Sequence, residues 1–367
     1  TEQARSGDPM APLVFIVLDE LSLPLLIGQD GLIDAEEYPA FAELAADSHW
    51  FRNATSVSDW TSLAVPAILT GRYPEENLPP AASAYPQNLF SWLGPLYRVH
   101  AYESAVRLCP ADICEPLAGA AVTDSTGHWY AVLRDLSVVY RYLVTPEPWA
   151  SQLPNIAMRW SGFTDPDSAG NDPQLTTIRA GMMFEGRMDV IRRFGESIAS
   201  AVEPSFHYLH VLLPHTPYEY LPGGYRYPGS WTVPATDWVW WDDNPFYVEQ
   251  ARTRYLLQLK ALDEALGLVL QSMRQDGAYD QSALILTADH GTSFQPGELW
   301  RTAEIGAAST ADILRVPLFI KRPGQTRGSV SDKPVETVDI LPALAEVLGT
   351  ELPWTIDGRS PFSEAAV

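Results

Sequence analysis

Three apolar runs in this 367-residue chain end in side chains able to hold a cation or act on an ester. Leu13–Leu18 stops at Asp19-Glu20, Ala283–Thr287 at Ala288-Asp289-His290-Gly291, and Phe206–Leu213 at Pro214-His215-Thr216-Pro217-Tyr218. Carboxylates and imidazoles delivered together are the oxygen and nitrogen donors that a hard to borderline divalent cation takes. Each has a plainer reading when taken alone, because an aspartate after a strand is commonly a turn or N-cap residue. Their joint occurrence at three run ends favours a site. His210, inside the third apolar run, reads as core. A fourth segment, Ser58–Pro74, reads as a polar turn and a short apolar helix that stops at Gly71. A hydroxyl at that helix start, Thr61 or Ser62, would stand among free backbone N–H groups at the positive end of the helix dipole. An alkoxide nucleophile and a tetrahedral oxyanion are both favoured there, although either residue equally suits a plain N-cap.

Such groups need elements to carry them. Leu13–Leu18 is continuous, apolar and rich in β-branched residues, as a strand buried on both faces must be. Comparable runs recur at Leu96–Tyr102, Phe206–Leu213, Ala283–Thr287 and Val316–Ile320, with helical stretches at Phe41–Ala46, Ile191–Ala201 and Tyr247–Met273. The alternation predicts an α/β fold with a mostly parallel central sheet and helices on both faces. Ligands of such sheets bind outside the carboxyl ends of the strands, where the polar residues above cluster. Ala118–Gly170 and Tyr218–Phe246, rich in Pro, Gly, Trp and Asp, read as long loop excursions. Trp231, Trp238, Trp240 and Trp241 either wall the site or pack their loop onto the sheet. The expected organisation is a catalytic domain over residues 1–323. A small C-terminal subdomain over 324–367, with an amphipathic helix at Val338–Leu348, completes it.

Composition narrows the function. Hydrophobic residues make up 46%, enough for a full core, and 24 basic against 46 acidic residues give a net charge of −22. That balance, with no lysine or arginine cluster, argues against capture of nucleic acid or an anionic membrane by bulk charge. An anion would have to be met by a local device, such as a metal ion or a helix N-terminus. No run of 18 apolar residues appears and no signal peptide is evident. A start at Thr1 fits a processed or excised protein, so an anchor giving membrane proximity is compatible with it. Cys109 and Cys114 read as a small disulfide loop of an oxidising, extracytoplasmic compartment. Two free thiols, or half a metal site, are the alternatives. Asn53-Ala54-Thr55 is a formal glycosylation sequon, but a glycan eight residues before Thr61 would obstruct the site.

Taken together, Val14–Glu20, Asn53–Pro74, Leu212–Tyr218, Leu286–Gly291, Val316–Gly324 and Val338–Gly349 with Asp357-Gly358 resemble the alkaline phosphatase/sulfatase superfamily. The likeness is to its sulfatase-like and lipid-headgroup phosphotransferase branches, such as the phosphoethanolamine and phosphoglycerol transferases. The resemblance implies roles residue by residue. The nucleophile lies nine residues before Thr70 of Leu69-Thr70-Gly71-Arg72, which is Thr61, and Val65-Pro66 after it suits the transferase pattern. Asp19, Asp289 and His290, with Thr61, would hold one divalent metal ion (Mn, Zn, Mg or Ca), and Glu20 stands as a further candidate ligand. His215 would contact the phosphoryl or sulfuryl oxygens. No second metal cluster can be assembled from the remaining histidines.

Departures from the family pattern shape the expected reaction. Sulfatases proper carry Cys or Ser at the nucleophile position for conversion to formylglycine, and here it is Thr61. Val65 replaces the signature arginine, and Ala101-Tyr102-Glu103-Ser104 stands where Gly-Lys-Trp-His is expected. Between His290 and Lys321 the early cationic candidate for substrate binding is Arg301. Scarce positive charge suits a diester, with one negative charge on the reacting group, better than a dianionic monoester. The expectation is therefore a metal-dependent phosphodiesterase or phosphotransferase, acting on an anionic lipid or glycan ester through a phospho-threonine intermediate. The alternatives are a sulfuric or other ester hydrolase without formylglycine, and a non-catalytic sulfatase-like binding module.

Overall fold

The computed structural model describes residues 11–75, 78–116, 186–199, 201, 205–228, 240–303 and 309–363, with isolated positions between 136 and 145. In chain order the first elements are β1 (Leu13–Asp19), α1 (Pro39–Asp47), β2 (His49–Thr55), α2 (Thr61–Thr70), α3 (Leu89–Leu93), β3 (Arg98–Glu103) and β4 (Cys114–Pro116). There follow α4 (Arg187–Ala199), β5 (Ser205–Pro214), the pair β6 (Tyr220–Leu221) and β7 (Tyr225–Arg226), and the long α5 (Pro245–Gln275). The chain closes with α6 (Ala278–Gln281), β8 (Ala283–Ala288), α7 (Thr310–Leu314), β9 (Leu318–Lys321), β10 (Ser329–Glu336) and α8 (Ile340–Leu348). Residues 1–118 and 186–367 form one compact unit and residues 119–185 another. The stretch read as an excursion over 118–170 lies almost wholly outside the described residues.

Every residue of β1, β5 and β8 is buried, as their largely apolar sequences require of central strands. The eight-stranded sheet has the order β10-β2-β9-β8-β1-β5-β3-β4. β1 pairs in parallel with β5 on one side and β8 on the other, and β9 alone runs against its neighbours. The mostly parallel α/β sheet is thus the expected one. Three of its strands do not announce themselves in the sequence: β4 is only three residues long, and the other two are β2 and β10. β2 mixes Arg52 and Asn53 with apolar residues, and β10, at the sheet edge, is largely exposed and contains Lys333 and Pro334. An edge strand has one partner and little buried face, so its sequence carries little pattern. β10 comes from the stretch after residue 324, which therefore extends the main sheet.

Helix α5 places Tyr255, Leu259, Leu262 and Leu266 in the core at the expected helical spacing. Two polar residues on the same helix are buried and act at a distance. Asp263 accepts from the N–H groups of Ala40 and Phe41 at 3.1 and 2.9 Å, capping α1, which has no side-chain cap of its own. Gln258 is used at the site below. Of the tryptophan group, Trp231 and Trp238 lie outside the described residues. Trp241 is buried against Trp300 and Phe294, at ring separations of 4.8 and 5.4 Å, and its indole N–H donates to the Ser293 carbonyl. Trp241 therefore packs its loop. Cys109 and Cys114 form a disulfide, and none of the described helices is long and apolar enough to cross a membrane.

Candidate active site

Because β1, β5 and β8 are parallel neighbours, their carboxyl ends open onto the same edge of the sheet. Asp19 ends β1 at a register shift that sets it opposite Pro214. Glu20 follows with φ of 61°, the one non-glycine residue in the left-handed region among those described. Such a conformation is costly for a glutamate and persists only where neighbours hold it. Here the Tyr255 hydroxyl donates to the Glu20 carbonyl at 2.8 Å, and the Glu20 N–H donates to Asp289 Oδ1 at 3.3 Å. Just after β8, the Asp289 N–H donates to the Leu18 carbonyl and the His290 N–H to Asp289 Oδ1 at 2.7 Å. His290 Nδ1 stands 2.9 Å from the Gly291 carbonyl, which can only accept, so Nε2 keeps its lone pair for the site. Gly291 is required by space, since a Cβ there would meet the Asp312 carbonyl at 2.2 Å and Ser22 Cα at 3.0 Å.

Thr61 is the first residue of α2, and its Oγ1 lies 3.3 Å from both Asp19 Oδ2 and His290 Nε2. The first backbone N–H groups of that helix have no intrahelical acceptor. His215 Nε2 is 3.4 Å from Glu20 Oε1, and Arg301 Nε is 3.0 Å from the same oxygen. Arg301 reaches in because its loop is tied to the turn before α2, where the Ala303 N–H donates to Asp59 Oδ2 at 2.7 Å. The turn carrying His215 is fastened from below by two buried residues that sequence inspection did not single out. Arg187 of α4 donates to the carbonyls of Leu212, His215 and Pro217 at 2.6–2.7 Å. Gln258 of α5 donates to the carbonyls of Pro214 and His215 and accepts from the N–H groups of Glu219 and Tyr220.

Asp19, Glu20, Asp289 and His290 are fully buried, whereas Thr61 and His215 keep 7% and 8% of their surface and the Arg301 side chain 16%. A ligand therefore meets Thr61, His215 and Arg301 first, above a floor of carboxylates. Burial raises the Asp19 carboxyl, but the neighbouring His215, His210 and His290 imidazoles outweigh it and hold it well below the usual range. Asp289 is pushed up by burial and by the Asp19 carboxylate beside it. Asp19 Oδ1, Glu20 Oε2 and Asp289 Oδ2 are buried without a hydrogen-bond partner. Three clustered carboxylates with orphaned oxygens are costly unless a cation joins them. The spacings suit one, because donors about 2.0–2.2 Å from a shared cation stand about 2.8–3.6 Å apart at octahedral to tetrahedral angles. Those between Thr61, Asp19 and His290 are 3.3 Å, and His290 Nε2 to Asp289 Oδ2 is 3.6 Å.

All seven residues singled out from the sequence thus come together: Asp19, Glu20, Thr61, His215, Asp289, His290 and Arg301. The eighth was missed. His210 is as buried as its place in an apolar strand suggests, yet its Nε2 lies 3.6 Å from Asp19 Oδ2 and completes a cluster with Asp289. Its sequence signal is weak, because the same strand carries a second histidine, His207, that does not reach the site.

The sulfatase family model matches residues 161–350, more than half of the chain. The chain belongs to the sulfatase family. The match contains His210, His215, Asp289 and His290, whereas Asp19 and Thr61 lie before it. Among curated relatives, the multifunctional alkaline phosphatase superfamily protein PehA of Trinickia caryophylli is 35% identical over 119 residues, 31% of this chain and 22% of that one. The choline-sulfatase of Rhizobium meliloti is 30% identical over 117 residues, again 31% of this chain and 22% of the relative. The matched stretch is thus about a fifth of either relative's length. The phosphonate monoester hydrolase SpPMH of Silicibacter pomeroyi shares the fold, with a TM-score of 0.59 at 20% identity over 96% of this chain and 76% of that one. A putative sulfatase of Bacteroides thetaiotaomicron gives a TM-score of 0.60 at 14% identity, covering 96% and 74%.

Proposed function

We propose that this member of the family is a metal-dependent phosphodiesterase or phosphotransferase working through a covalent phospho-threonine. The observation that carries the reading is Thr61 Oγ1, at a helix N-terminus and 3.3 Å from both Asp19 and His290. Asp19, Thr61, Asp289 and His290, with Glu20 beside them, are the residues that would hold the cation. A divalent ion bound there would lower the pKa of the Thr61 hydroxyl and offset negative charge on the ester. Thr61 loses its proton as its oxygen bonds to phosphorus, and the bond to the leaving alcohol breaks as that alcohol takes up the proton. The free N–H groups at the start of α2, His215 and Arg301 meet the equatorial oxygens. Water, or an acceptor hydroxyl on a lipid or glycan, then attacks the same phosphorus and frees Thr61.

Two features favour phosphorus over sulfur and a diester over a monoester. Formylglycine has no precursor at position 61, and both cysteines are joined to each other in a disulfide. Positive charge around the site is sparse, and the Arg301 guanidinium already faces Glu20. The disulfide also agrees with an extracytoplasmic setting. Sulfate-ester hydrolysis is the competing reading, favoured by the names of relatives such as the choline-sulfatase. A panel of chromogenic phosphodiester, phosphomonoester and sulfate substrates with Mn, Zn, Mg and Ca tests the choice. Diester turnover should dominate, and Thr61→Ala should lower it about 10³-fold or more at saturating metal while circular dichroism stays unchanged. Sulfate turnover above diester turnover refutes the reading, and an active Thr61→Ala refutes the nucleophile.

A further inference from the structure

β5 carries two fully buried histidines, and they differ in a way that burial alone does not explain. His207 is satisfied at both ring nitrogens, with Ser197 Oγ 3.0 Å from Nδ1 and Ser205 Oγ 2.8 Å from Nε2. His210, three residues on and so on the opposite face of the strand, is not. Its Nδ1 meets Ser104 Oγ at 3.4 Å, while Nε2 has no hydrogen-bond partner and points at Asp19 Oδ2, 3.6 Å away. The Asp19, His210 and Asp289 donor atoms all lie within 4.8 Å of one another. An imidazole whose outer nitrogen is oriented by a hydroxyl, with the other left bare among carboxylates, is arranged as a metal ligand is.

The scaffold around Ser104 serves that arrangement. β3 ends at Glu103, paired in register with His210. The Glu103 carboxylate accepts from the N–H groups of Leu108 and Cys109 at 2.8 and 3.0 Å, closing the loop that begins at Ser104. The disulfide from Cys109 to Cys114 ties the far side of that loop to β4. Where the family pattern leads one to expect cationic substrate contacts, this chain instead places a support for His210.

We infer that His210 is a direct ligand of the same cation as Asp19, Asp289, Thr61 and His290, with Ser104 as its positioning residue. The inference rests on the metal-dependent reading above and adds a second imidazole to the donor set. Two nitrogens with carboxylate and hydroxyl oxygens select zinc or manganese over calcium, which prefers oxygen alone.

X-ray absorption on the zinc-loaded wild-type protein counts imidazoles directly and needs no variant. Two imidazoles are expected, falling to one in His210→Gln, with the zinc Kd rising about 100-fold. Calcium affinity should change less than about threefold, and Ser104→Ala should weaken zinc by about 10-fold. Circular dichroism and thermal unfolding of each variant report whether the fold is kept. A single imidazole in the wild-type spectrum overturns this inference and leaves the metal-dependent reading standing. Stoichiometric calcium or magnesium with no zinc or manganese overturns this inference alone, and no stoichiometric binding of any of the four ions overturns both.

Discussion

Arg187 offers the sharpest test of how the fold positions His215. Its guanidinium is almost wholly buried, and burial lowers its pKa from the usual arginine value. It donates to the carbonyls of Leu212, His215 and Pro217 at 2.6–2.7 Å, and lies 3.8 Å from the Glu219 carboxylate. Replacing it with Met keeps the apolar stem and removes all three bonds. Each charged bond to a buried carbonyl contributes about 1.5–3 kcal/mol, and relief from burying a charge offsets part of the sum. The His215 carbonyl also keeps Gln258 as a donor at 3.0 Å. The expected loss for Arg187→Met is therefore about 3–5 kcal/mol, read from urea unfolding. Arg187→Lys, a single point of charge without the fork, should recover less than half of it. Because the turn carries His215, kcat on the preferred ester should also fall about 10–100-fold. The cycle Arg187→Met with Gln258→Leu should show coupling above about 0.5 kcal/mol, since both donors share the His215 carbonyl. A loss under about 1 kcal/mol, or full recovery by lysine, would show that the guanidinium fork does not hold the turn.

Gly291→Ala should be among the most damaging single-methyl changes in the protein. The added Cβ meets the Asp312 carbonyl at 2.2 Å, and backbone has to move beside His290. A stability loss of about 2–4 kcal/mol and weakened metal binding are expected in denaturant titrations and metal analysis. Wild-type values for both would refute the close-packing argument. His207 should make the protein acid-labile. Burial, then the His100 ring stacked on it, pushes its pKa down from 6.5 to about 3. A base with a depressed folded pKa binds fewer protons in the native state than in the unfolded one. Its contribution is intact above pH 6.5 and is lost as pH falls from there toward 3, by about 2 kcal/mol at pH 5. His207→Gln should flatten the measured stability between pH 6.5 and 5, and an unchanged slope would place the acid sensitivity elsewhere.

The central sheet was legible because its inner strands are buried on both faces and can therefore be read as largely apolar runs. β2 and β10 escaped because an edge or half-exposed strand needs so little burial that charged residues and proline are tolerated in it. At the site, Asp19, Asp289, His290 and His215 could be found because they terminate strands, where a change from apolar to polar is visible. His210 could not, because its neighbours in sequence are apolar and its partners, Asp19 and Ser104, come from β1 and the end of β3. Arg187 and Gln258 were invisible for a related reason. They sit on helices, where polar residues are ordinary, and only the packing of α4 and α5 turns them inward.

The sequence by itself determined the alternation of strands and helices, the residues at the strand ends and the hydroxyl at the start of α2. These are local properties, set by hydrophobic period and by where it breaks. Only the tertiary structure decided which of those groups meet and what supports them. The order of strands in the sheet puts β5 beside β1, and so turns a histidine of an apolar strand toward the Asp19 carboxylate. Burial, by removing water as the alternative partner, makes each such meeting count energetically.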